Sequence, residues 1–213
     1  MKIALIGATG FVGSALLNEL ATRGHQITAI ARNPAENDKA AWVKADVTKL
    51  EELVKVLENH DAVISAYNPG WTNPNIYKDF ISGSKSIQQA VKNSGVKRYI
   101  TIGGGGSLFV APGVQAVDTP DFPKEYYPGA TAARDYLNII RDEKDLDWAF
   151  FSPAFEMHQG ITTGRTGKYR LGLESPVFDA DNRSILSVED LAVVIADEVE
   201  NPKHHQQRFT AAY

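Results

Sequence analysis

The sequence predicts an α/β fold, a doubly wound parallel sheet with helices on both faces, from three observations. Short apolar runs alternate with amphipathic stretches along most of the chain. Runs such as Ile3–Ile6 are apolar at every position, as expected for parallel strands that are buried on both faces. A glycine-rich turn directly follows that first run, and an amphipathic stretch follows the turn. Strand, turn and helix in this order are typical of the first unit of a doubly wound sheet.

The remaining elements follow from the spacing of the apolar residues. The predicted strands are Ile3–Ile6, Ile27–Ala31, Ala41–Lys44, Ala62–Ala66, Arg98–Ile102 and Trp148–Ser152. The predicted helices are Val12–Arg23, Leu50–Glu58, Ile76–Asn93, Ala130–Glu143 and Val188–Val199. A short strand-like segment, Arg208–Tyr213, follows the fifth helix. The third helix illustrates the helical pattern, because Ile76, Phe80 and Ile87 fall on one of its faces.

Residues 154–186 break this pattern, because glycine, proline and charged residues recur there without a helical or strand period. We interpret this segment as a small C-terminal substrate lid. A chain of 213 residues, of which 43% are hydrophobic, is long enough for one core with such a lid. We therefore predict a single domain that spans residues 1–213.

Composition and charge exclude several classes of function. The formal net charge is −4 and the basic residues are scattered, so we expect neither nucleic acid nor a membrane as a partner. The chain has no cysteine, which excludes disulfides, thiolate zinc sites and a cysteine nucleophile, and we predict no metal site. The first apolar run is too short for a signal peptide, and no run approaches the roughly 20 residues that span a bilayer. We therefore expect a cytoplasmic monomer or homodimer that acts on a small molecule.

The glycine-rich turn has the spacing GxxGxxG, from Gly7 to Gly13. Gly7 allows a tight turn, Gly10 leaves room for a phosphate against the backbone, and Gly13 lets the helix pack closely on its strand. Such a turn brings backbone N–H groups and a helix N-terminus to one point, where a pyrophosphate binds. The predicted pyrophosphate-binding residues are Gly7, Thr9, Gly10, Phe11, Val12 and Gly13. A glycine-rich turn without a ligand is the alternative.

Arg32, at the end of the second strand, predicts which dinucleotide binds. Proteins that prefer NAD place Asp or Glu about 20 residues beyond the glycines to bind the ribose 2′-hydroxyl, whereas NADP-binding proteins have Arg nearby. Here the first carboxylate after the strand is Glu36. We therefore predict NADP(H) as the preferred cofactor, with Arg32 on its 2′-phosphate, and NAD(H) stays open as a second cofactor. The alternative is that Arg32 is a solvated loop residue.

Asp46 and Val47 follow the third strand, where the carboxyl end of the sheet would form an adenine pocket. Asp46 is placed to accept a hydrogen bond from the exocyclic amine of adenine. It could equally cap the Leu50–Glu58 helix, although Thr48 is better placed for that role. We predict both Asp46 and Val47 as cofactor contacts.

The fourth and fifth strands also end at this crevice, on the ribose and nicotinamide side. Small residues at Ser65 and Ala66 let a ribose lie close, and Tyr67 is either a further contact or edge packing. The four glycines Gly103–Gly106 expose backbone that suits a flat ring, and Ser107 could hydrogen-bond to substrate or nicotinamide. A flexible loop without a ligand is the alternative. The predicted cofactor contacts in this region are Ser65, Ala66, Tyr67, Gly103 and Gly104.

Further segments carry a resemblance to a known family. They are Gly106-Ser107-Leu108, Asp118-Thr119-Pro120-Asp121-Phe122-Pro123, Leu146-Asp147-Trp148, Ser152-Pro153-Ala154, Arg165-Thr166-Gly167-Lys168-Tyr169-Arg170, Ser187-Val188-Glu189-Asp190-Leu191-Ala192 and Arg208-Phe209-Thr210. With the GxxGxxG turn, they resemble the NADH-flavin reductase group of atypical short-chain dehydrogenases, which is related to NmrA-like proteins and to biliverdin reductase B. The resemblance covers residues 1–213 and implies a Rossmann-like fold, a nicotinamide cofactor and reduction of flavins or quinones. We also predict Ser152, Pro153 and Ala154 as cofactor contacts.

The chain departs from short-chain dehydrogenases at their Tyr-x-x-x-Lys pair, in which Lys lowers the pKa of the Tyr so that the phenol passes a proton. Four residues after Tyr126 stands Ala130, and four after Tyr127 stands Thr131. Arg134 is no substitute, because guanidinium stays protonated and has a different geometry. Alcohol oxidation by the usual route is therefore not expected. Hydride transfer to a conjugated ring needs less acid catalysis, since the ring spreads the incoming charge.

We therefore predict an oxidoreductase that prefers NADPH and transfers hydride to a flavin- or quinone-like acceptor. Flavin would be a substrate and not a bound prosthetic group. The candidate catalytic residues are Ser107 and His158, the latter because an imidazole donates a proton near neutral pH. Two alternatives stay open: a non-catalytic, NADP(H)-sensing NmrA-like regulator and, least favoured, a relative of epimerases and dehydratases.

Other side chains near the predicted lid have weaker claims to a role. Tyr126, Tyr127 and Tyr169 are further candidate proton donors. The basic residues Arg165, Lys168 and Arg170 would either attract an anionic substrate such as a flavin phosphate or form a solvated surface of the lid.

Overall fold

The structure is a computed structural model that describes residues 1–35 and 37–213. Within these residues the strands are β1 (Lys2–Ile6), β2 (Gln26–Ala31), β3 (Ala41–Lys44), β4 (Ala62–Ser65), β5 (Arg98–Ile102), β6 (Phe109–Ala111), β7 (Val114–Gln115), β8 (Asp147–Ser152), β9 (Arg170–Gly172) and β10 (Gln207–Ala212). The helices are α1 (Phe11–Thr22), α2 (Leu50–Leu57), α3 (Ile76–Ser94), α4 (Tyr127–Ile140) and α5 (Val188–Glu200). In the described part of the chain, no helix is both long and apolar enough to cross a membrane.

Eight strands form one sheet in the order β3-β2-β1-β4-β5-β8-β10-β9, and β6 pairs with β7 in a separate hairpin. All neighbours in the large sheet are parallel except β9, which is antiparallel to β10. Ile6 is in register with Ile30 on one side and with Ser65 on the other. The carboxyl ends of β2, β1 and β4 therefore reach the same edge of the sheet, where ligands bind in open α/β sheets.

Helices cover both faces of this sheet, which confirms the predicted doubly wound class. In β1, Ile3 and Leu5 belong to one core cluster, whereas Ala4 and Ile6 belong to the other. The first cluster contains the buried faces of α1 and α5, and the second contains those of α2, α3 and α4. Alternate residues of one strand thus enter different cores, and this is why a strand that is apolar from Ile3 to Ile6 suits the centre of the sheet.

The predicted elements are present, with differences at their ends. The fourth helix begins at Tyr127 and not at Ala130, because Pro128 is tolerated in the first turn, where its missing N–H costs nothing. The fourth strand ends at Ser65, one residue before its predicted end. The β6–β7 hairpin and β9 were not predicted, because strands of two or three residues leave no readable period.

The segment 154–186, predicted as a lid, is anchored to the core at several points. Its strand β9 extends the main sheet, and the ion pair between Glu156 and Arg183 joins the two ends of the segment to each other. Arg165 pairs with Glu19 of α1 at 2.7 Å. The backbone N–H of Thr166 donates to the buried carboxylate of Asp190 on α5. Much of the segment is therefore packed structure, and a role in covering substrate stays a prediction.

Candidate cofactor-binding site

Two glycines of the GxxGxxG turn are required by close backbone packing. Gly7 has φ 79°, and a Cβ atom placed on it would lie 2.6 Å from the carbonyl oxygen of Ala66. A Cβ atom on Gly13 would overlap the carbonyl oxygen of Gly7. The turn is therefore pressed against the end of β4 on one side and against the first turn of α1 on the other. Both packing roles agree with those read from the sequence.

The N-terminus of α1 presents hydrogen-bond donors that no protein group uses. Gly10 is the N-cap and has no side chain to cap the helix, and the first turn carries no acidic residue. Within the described chain, the backbone N–H groups of Phe11, Val12 and Gly13 have no hydrogen-bond partner. Gly10 is exposed, so the space in front of these groups is open to solvent. Unpaired N–H groups at the positive end of a helix dipole suit an anion such as pyrophosphate.

Arg32 and Asp46 lie at the carboxyl ends of β2 and β3, on one side of the glycine turn. Arg32 is exposed and, within residues 1–35 and 37–213, forms no ion pair. Hydrogen bonds from Thr48 hold the pKa of Asp46 below its usual value, and the nearby positive charge of Arg32 adds to this effect. The Asp46 carboxylate is therefore charged at neutral pH, and the exposed Arg32 side chain is available to a ligand. Glu36, the first carboxylate after β2, lies outside the described residues.

Asp46 does not cap α2. One of its carboxylate oxygens accepts hydrogen bonds from the N–H of Thr48 at 2.9 Å and from its hydroxyl at 2.8 Å. The N-cap of α2 is Lys49, which makes no side-chain capping bond. The N-cap alternative for Asp46 and Thr48 is therefore wrong. Val47, half-buried, packs against the core, and its carbonyl oxygen accepts from Ser86.

The end of β4 brings small residues next to the glycine turn. Ser65 is buried, and Ala66 is half-buried with its carbonyl oxygen beneath Gly7. The hydroxyl of Tyr67 donates to the carbonyl oxygen of Asp79 at 3.0 Å, and its ring packs where Gly83 of α3 has no side chain. Burial raises the pKa of Tyr67. The hydroxyl of Tyr67 is thus hydrogen-bonded to the protein, in agreement with the alternative that Tyr67 packs at the edge of the crevice.

The glycines after β5 are packed against neighbouring residues, and whether a ligand binds to them stays a prediction. A Cβ atom on Gly103 would overlap the ring of Phe150, and one on Gly105 would lie 2.7 Å from the carbonyl oxygen of Pro153. Gly105–Ser107 forms a turn of 3₁₀ helix. Gly103, Gly104 and Gly105 are nevertheless half-exposed, so backbone stays accessible at this point of the carboxyl edge.

Ser107 is fully buried, which is contrary to the expected contact with substrate. Its hydroxyl donates to the carbonyl oxygen of Gly104 at 2.8 Å and lies 3.0 Å from the hydroxyl of Ser152, which is also fully buried. Both side chains hold β5 and β8 together beneath the glycine loop. The sequence could not show this, because the burial of a short polar side chain depends on elements distant along the chain.

Arg208 is a buried residue of this region that sequence reasoning missed. Its side chain has no exposed surface, donates to the carbonyl oxygen of Ser107 at 3.0 Å, and pairs with Glu174. Because it joins β10, the glycine loop and the 154–186 segment, it supports the nicotinamide side of the crevice from below. An arginine inside an otherwise uncharged strand was the available signal.

The remaining candidates on the predicted substrate side differ in exposure. His158 is exposed, and its ring accepts a hydrogen bond from the N–H of Gly160 at 3.1 Å. Pro153 and Ala154 are buried directly after β8. Tyr169 donates to Asp197 of α5 at 2.5 Å, and burial together with this bond raises its pKa well above the usual value. Tyr169 is therefore not a poised proton donor.

The basic residues of the 154–186 segment are largely committed to protein partners. Arg165 makes two hydrogen bonds to the carboxylate of Glu19. Arg170 donates to the carbonyl oxygens of Phe178 and Tyr213. Both arginines therefore have protein partners, and the attraction of a flavin phosphate by this cluster stays a prediction. Arg165, Lys168 and Arg170 are all exposed, and Lys168 alone of the three has no side-chain partner among the described residues.

The fold and the glycine turn define an NAD(P)-binding Rossmann domain. Residues 7–202 match the model of a family described as NAD(P)H-binding, and the chain belongs to this family. The chain is also similar to the uncharacterised protein YwnB of Bacillus subtilis strain 168. The two are 33% identical over 214 residues, which cover 99% of this chain and 97% of YwnB.

Two solved structures with full-length similarity carry different provisional descriptions. A protein from Bacteroides thetaiotaomicron, provisionally described as an epimerase, is 47% identical with a TM-score of 0.90, covering 100% of this chain and 96% of that one. A protein from Streptococcus pneumoniae, provisionally described as an NADH-flavin reductase, is 31% identical with a TM-score of 0.89, covering 100% of this chain and 99% of that one. The predicted family resemblance is confirmed.

Proposed function

We propose that the protein is an NADPH-dependent oxidoreductase that transfers hydride to a flat conjugated acceptor of the flavin or quinone class. The observation that carries the proposal is the cradle of unpaired N–H groups at Phe11, Val12 and Gly13. This cradle lies between Arg32, at the end of β2, and the glycine loop that follows β5. A dinucleotide can span these three points along one edge of the sheet.

Each part of the cofactor has a matching group in this proposal. The adenosine half lies beside Asp46, with Arg32 on the 2′-phosphate, and the pyrophosphate lies on the N-terminus of α1. The nicotinamide half lies at the ends of β4 and β5, near Ala66 and Gly104. The Arg32 guanidinium is exposed and has no ion pair among the described residues, so it favours NADPH over NADH, because only NADPH brings it a charged partner.

The residues of α4 favour reduction of a conjugated ring over alcohol chemistry. Bound NADPH supplies the hydride, and the chain aligns the two rings. Tyr126 and Tyr127 are exposed at the start of α4, but no lysine follows at the fourth position to lower the pKa of either phenol. An epimerase needs such a base to oxidise a sugar hydroxyl. A flat acceptor spreads the incoming charge and takes its proton from water, so it needs no paired base.

Turnover assays test this proposal directly. Purified protein is mixed with NADPH, or with NADH, and with riboflavin, FMN, FAD or a series of quinones, and the loss of NADPH absorbance is followed. We expect turnover with at least one acceptor and faster turnover with NADPH than with NADH. If NADPH binds in a one-to-one ratio but no acceptor is reduced, a non-catalytic NADP(H)-sensing regulator is the function instead. A protein that binds no NADPH contradicts both.

A further inference from the structure

Two large aromatic side chains remain exposed next to each other at the carboxyl edge. The exposed fraction is 57% for Trp71 and 48% for Tyr126. Their ring centroids lie 5.5 Å apart, and the ring planes meet at 86°. We call these two residues the aromatic pair. An exposed aromatic cluster of this size is uncommon on a protein surface away from a binding site, because it leaves much apolar area in water.

The aromatic pair lies over the proposed nicotinamide end of the crevice. Trp71 belongs to the loop after β4, and Tyr126 belongs to the connection from β5 to α4. These two strands adjoin each other in the sheet and lie on the side of β1 opposite β2 and β3. The pair is thus separated from Arg32 by the glycine turn, so it is positioned for the acceptor and not for the adenine.

Contacts with the surrounding structure fix the position of Trp71. The loop that carries it is anchored near its start by the Tyr67–Asp79 hydrogen bond. Near its end, the hydroxyl of Tyr77 donates to Asp135 of α4 at 2.7 Å. The indole packs over Gly129, where a Cβ atom would lie only 2.7 Å from the indole carbon Cζ3. Helix α4 therefore carries a glycine where the ring needs space.

The charges carried by the chain beyond residue 117 disfavour a phosphorylated acceptor. Each of the six arginines beyond residue 130 has a partner: Arg134 with Asp118 and Asp135, Arg141 and Arg208 with Glu174, Arg165 with Glu19, Arg170 with two carbonyl oxygens, and Arg183 with Glu156. The segment 118–125, which leads to Tyr126, contains three carboxylates and one lysine. Beside this segment a phosphate would meet more negative than positive charge, and no arginine beyond residue 130 that lacks a partner in the described structure.

We propose that the acceptor is an uncharged planar ring, a quinone or an unphosphorylated flavin, which stacks on the aromatic pair. This inference rests on the proposed reductase function and specifies its substrate class. With a quinone, one hydride from NADPH and one proton from water convert the quinone to its hydroquinone and leave NADP⁺. The two electrons of the hydride reduce the ring, and no other oxidant or reductant takes part.

Matched acceptors test the charge argument. Riboflavin and FMN differ only by the phosphate, and 1,4-naphthoquinone and its sulfonated derivative differ only by the sulfonate. We expect kcat/KM for each uncharged compound to exceed that of its charged partner by about tenfold or more. Equal or better use of FMN and of the sulfonated quinone would overturn the assignment of an uncharged acceptor.

Substitutions of Trp71 test the stacking argument. We expect Trp71→Ala to raise KM for naphthoquinone by about tenfold with little change in kcat, and Trp71→Phe to restore most of the loss. We expect Gly129→Ala to displace the indole and therefore also to raise KM for naphthoquinone. The Kd for NADPH, measured by calorimetry, stays unchanged in all three variants. Wild-type KM in Trp71→Ala overturns the proposal.

Tryptophan fluorescence separates failure of this inference from failure of the reductase function. Trp148 is buried, so in a Trp42→Phe background the exposed emission comes from Trp71. We expect naphthoquinone to quench this emission saturably, and Trp71→Phe in the same background to lose the signal. Saturable quenching without turnover supports the binding site and contradicts the reductase function. Turnover without quenching supports the reductase function and contradicts the aromatic site.

Discussion

At the scale of single residues, the sequence predicted where the backbone requires glycine, but it did not predict which side chains contact each other. Gly7 and Gly13 have the roles that their spacing predicts, because tight turns and close packing are local requirements. Ser107 looked accessible beside four glycines, yet its burial depends on Ser152 and Arg208, which follow it by 45 and 101 residues. Such partners come from the fold, and no local pattern reveals them.

Arg32→Ala tests the assignment of the 2′-phosphate contact. The variant loses a charge-assisted hydrogen bond that contributes about 1.5–3 kcal/mol to binding of NADPH, which is roughly tenfold to a hundredfold in Kd. We expect the Kd for NADPH to rise by that factor and the Kd for NADH to stay the same, as measured by calorimetry. Arg32→Lys serves as the control and should keep part of the preference. An unchanged ratio of the two Kd values in Arg32→Ala would show that Arg32 is only a solvated loop residue.

At the scale of elements, long periodic segments were predicted well and short ones were missed. Strands β1 to β5 and helices α1 to α3 lie within two residues of their predicted bounds, because each has a strong apolar period. The three-residue strand β9 has no such period, and it forms because β10 offers an open edge. The 154–186 segment is therefore bound to the core by contacts that only the folded chain creates.

One of these contacts gives acid sensitivity to the packing between α1 and the 154–186 segment. Glu19 is buried and accepts from Arg165 and Arg23. The hydrogen bond from Arg165 is the largest effect on Glu19 and lowers its pKa, although burial opposes the shift. A carboxylate whose folded pKa is below the usual value of 4.5 stabilises the fold above that pH. This contribution is lost as the pH falls below 4.5 through the folded pKa.

Glu19→Gln measures this contribution. We expect the variant to lower the free energy of unfolding by roughly 1–3 kcal/mol at neutral pH. The difference from the wild type should shrink as the pH falls below 4.5, because the wild-type carboxylate then becomes protonated as well. Urea unfolding at a series of pH values, followed by circular dichroism, provides the measurement. A difference that stays constant or grows in acid would contradict the role assigned to the Glu19 carboxylate.

At the scale of the whole molecule, the two ends of the crevice differ in charge. Arg32 at the adenine end has no ion pair in the described part of the chain, whereas the arginines beyond residue 130 all have partners. The sheet and the glycine turn were predictable from the sequence. The charge difference was not, because pairs such as Arg165–Glu19 join residues 146 positions apart. In the proposed function, this difference separates the end that binds phosphate from the end that takes an uncharged ring.

The most direct test of the cofactor site is calorimetric titration with NADPH of the wild type and of Gly10→Ala. Gly10 has φ −75°, which alanine adopts, and a Cβ atom on it would lie 3.3 Å from the carbonyl oxygen of Gly7, so the added methyl group takes space that we assign to the phosphate. We predict one NADPH bound per wild-type chain and a Kd at least about tenfold higher in Gly10→Ala, with an unchanged free energy of unfolding without ligand. Ser14→Ala, on the exposed side of the same helix, should bind as the wild type does. No binding by the wild type, or equal binding by Gly10→Ala, would contradict the assignment.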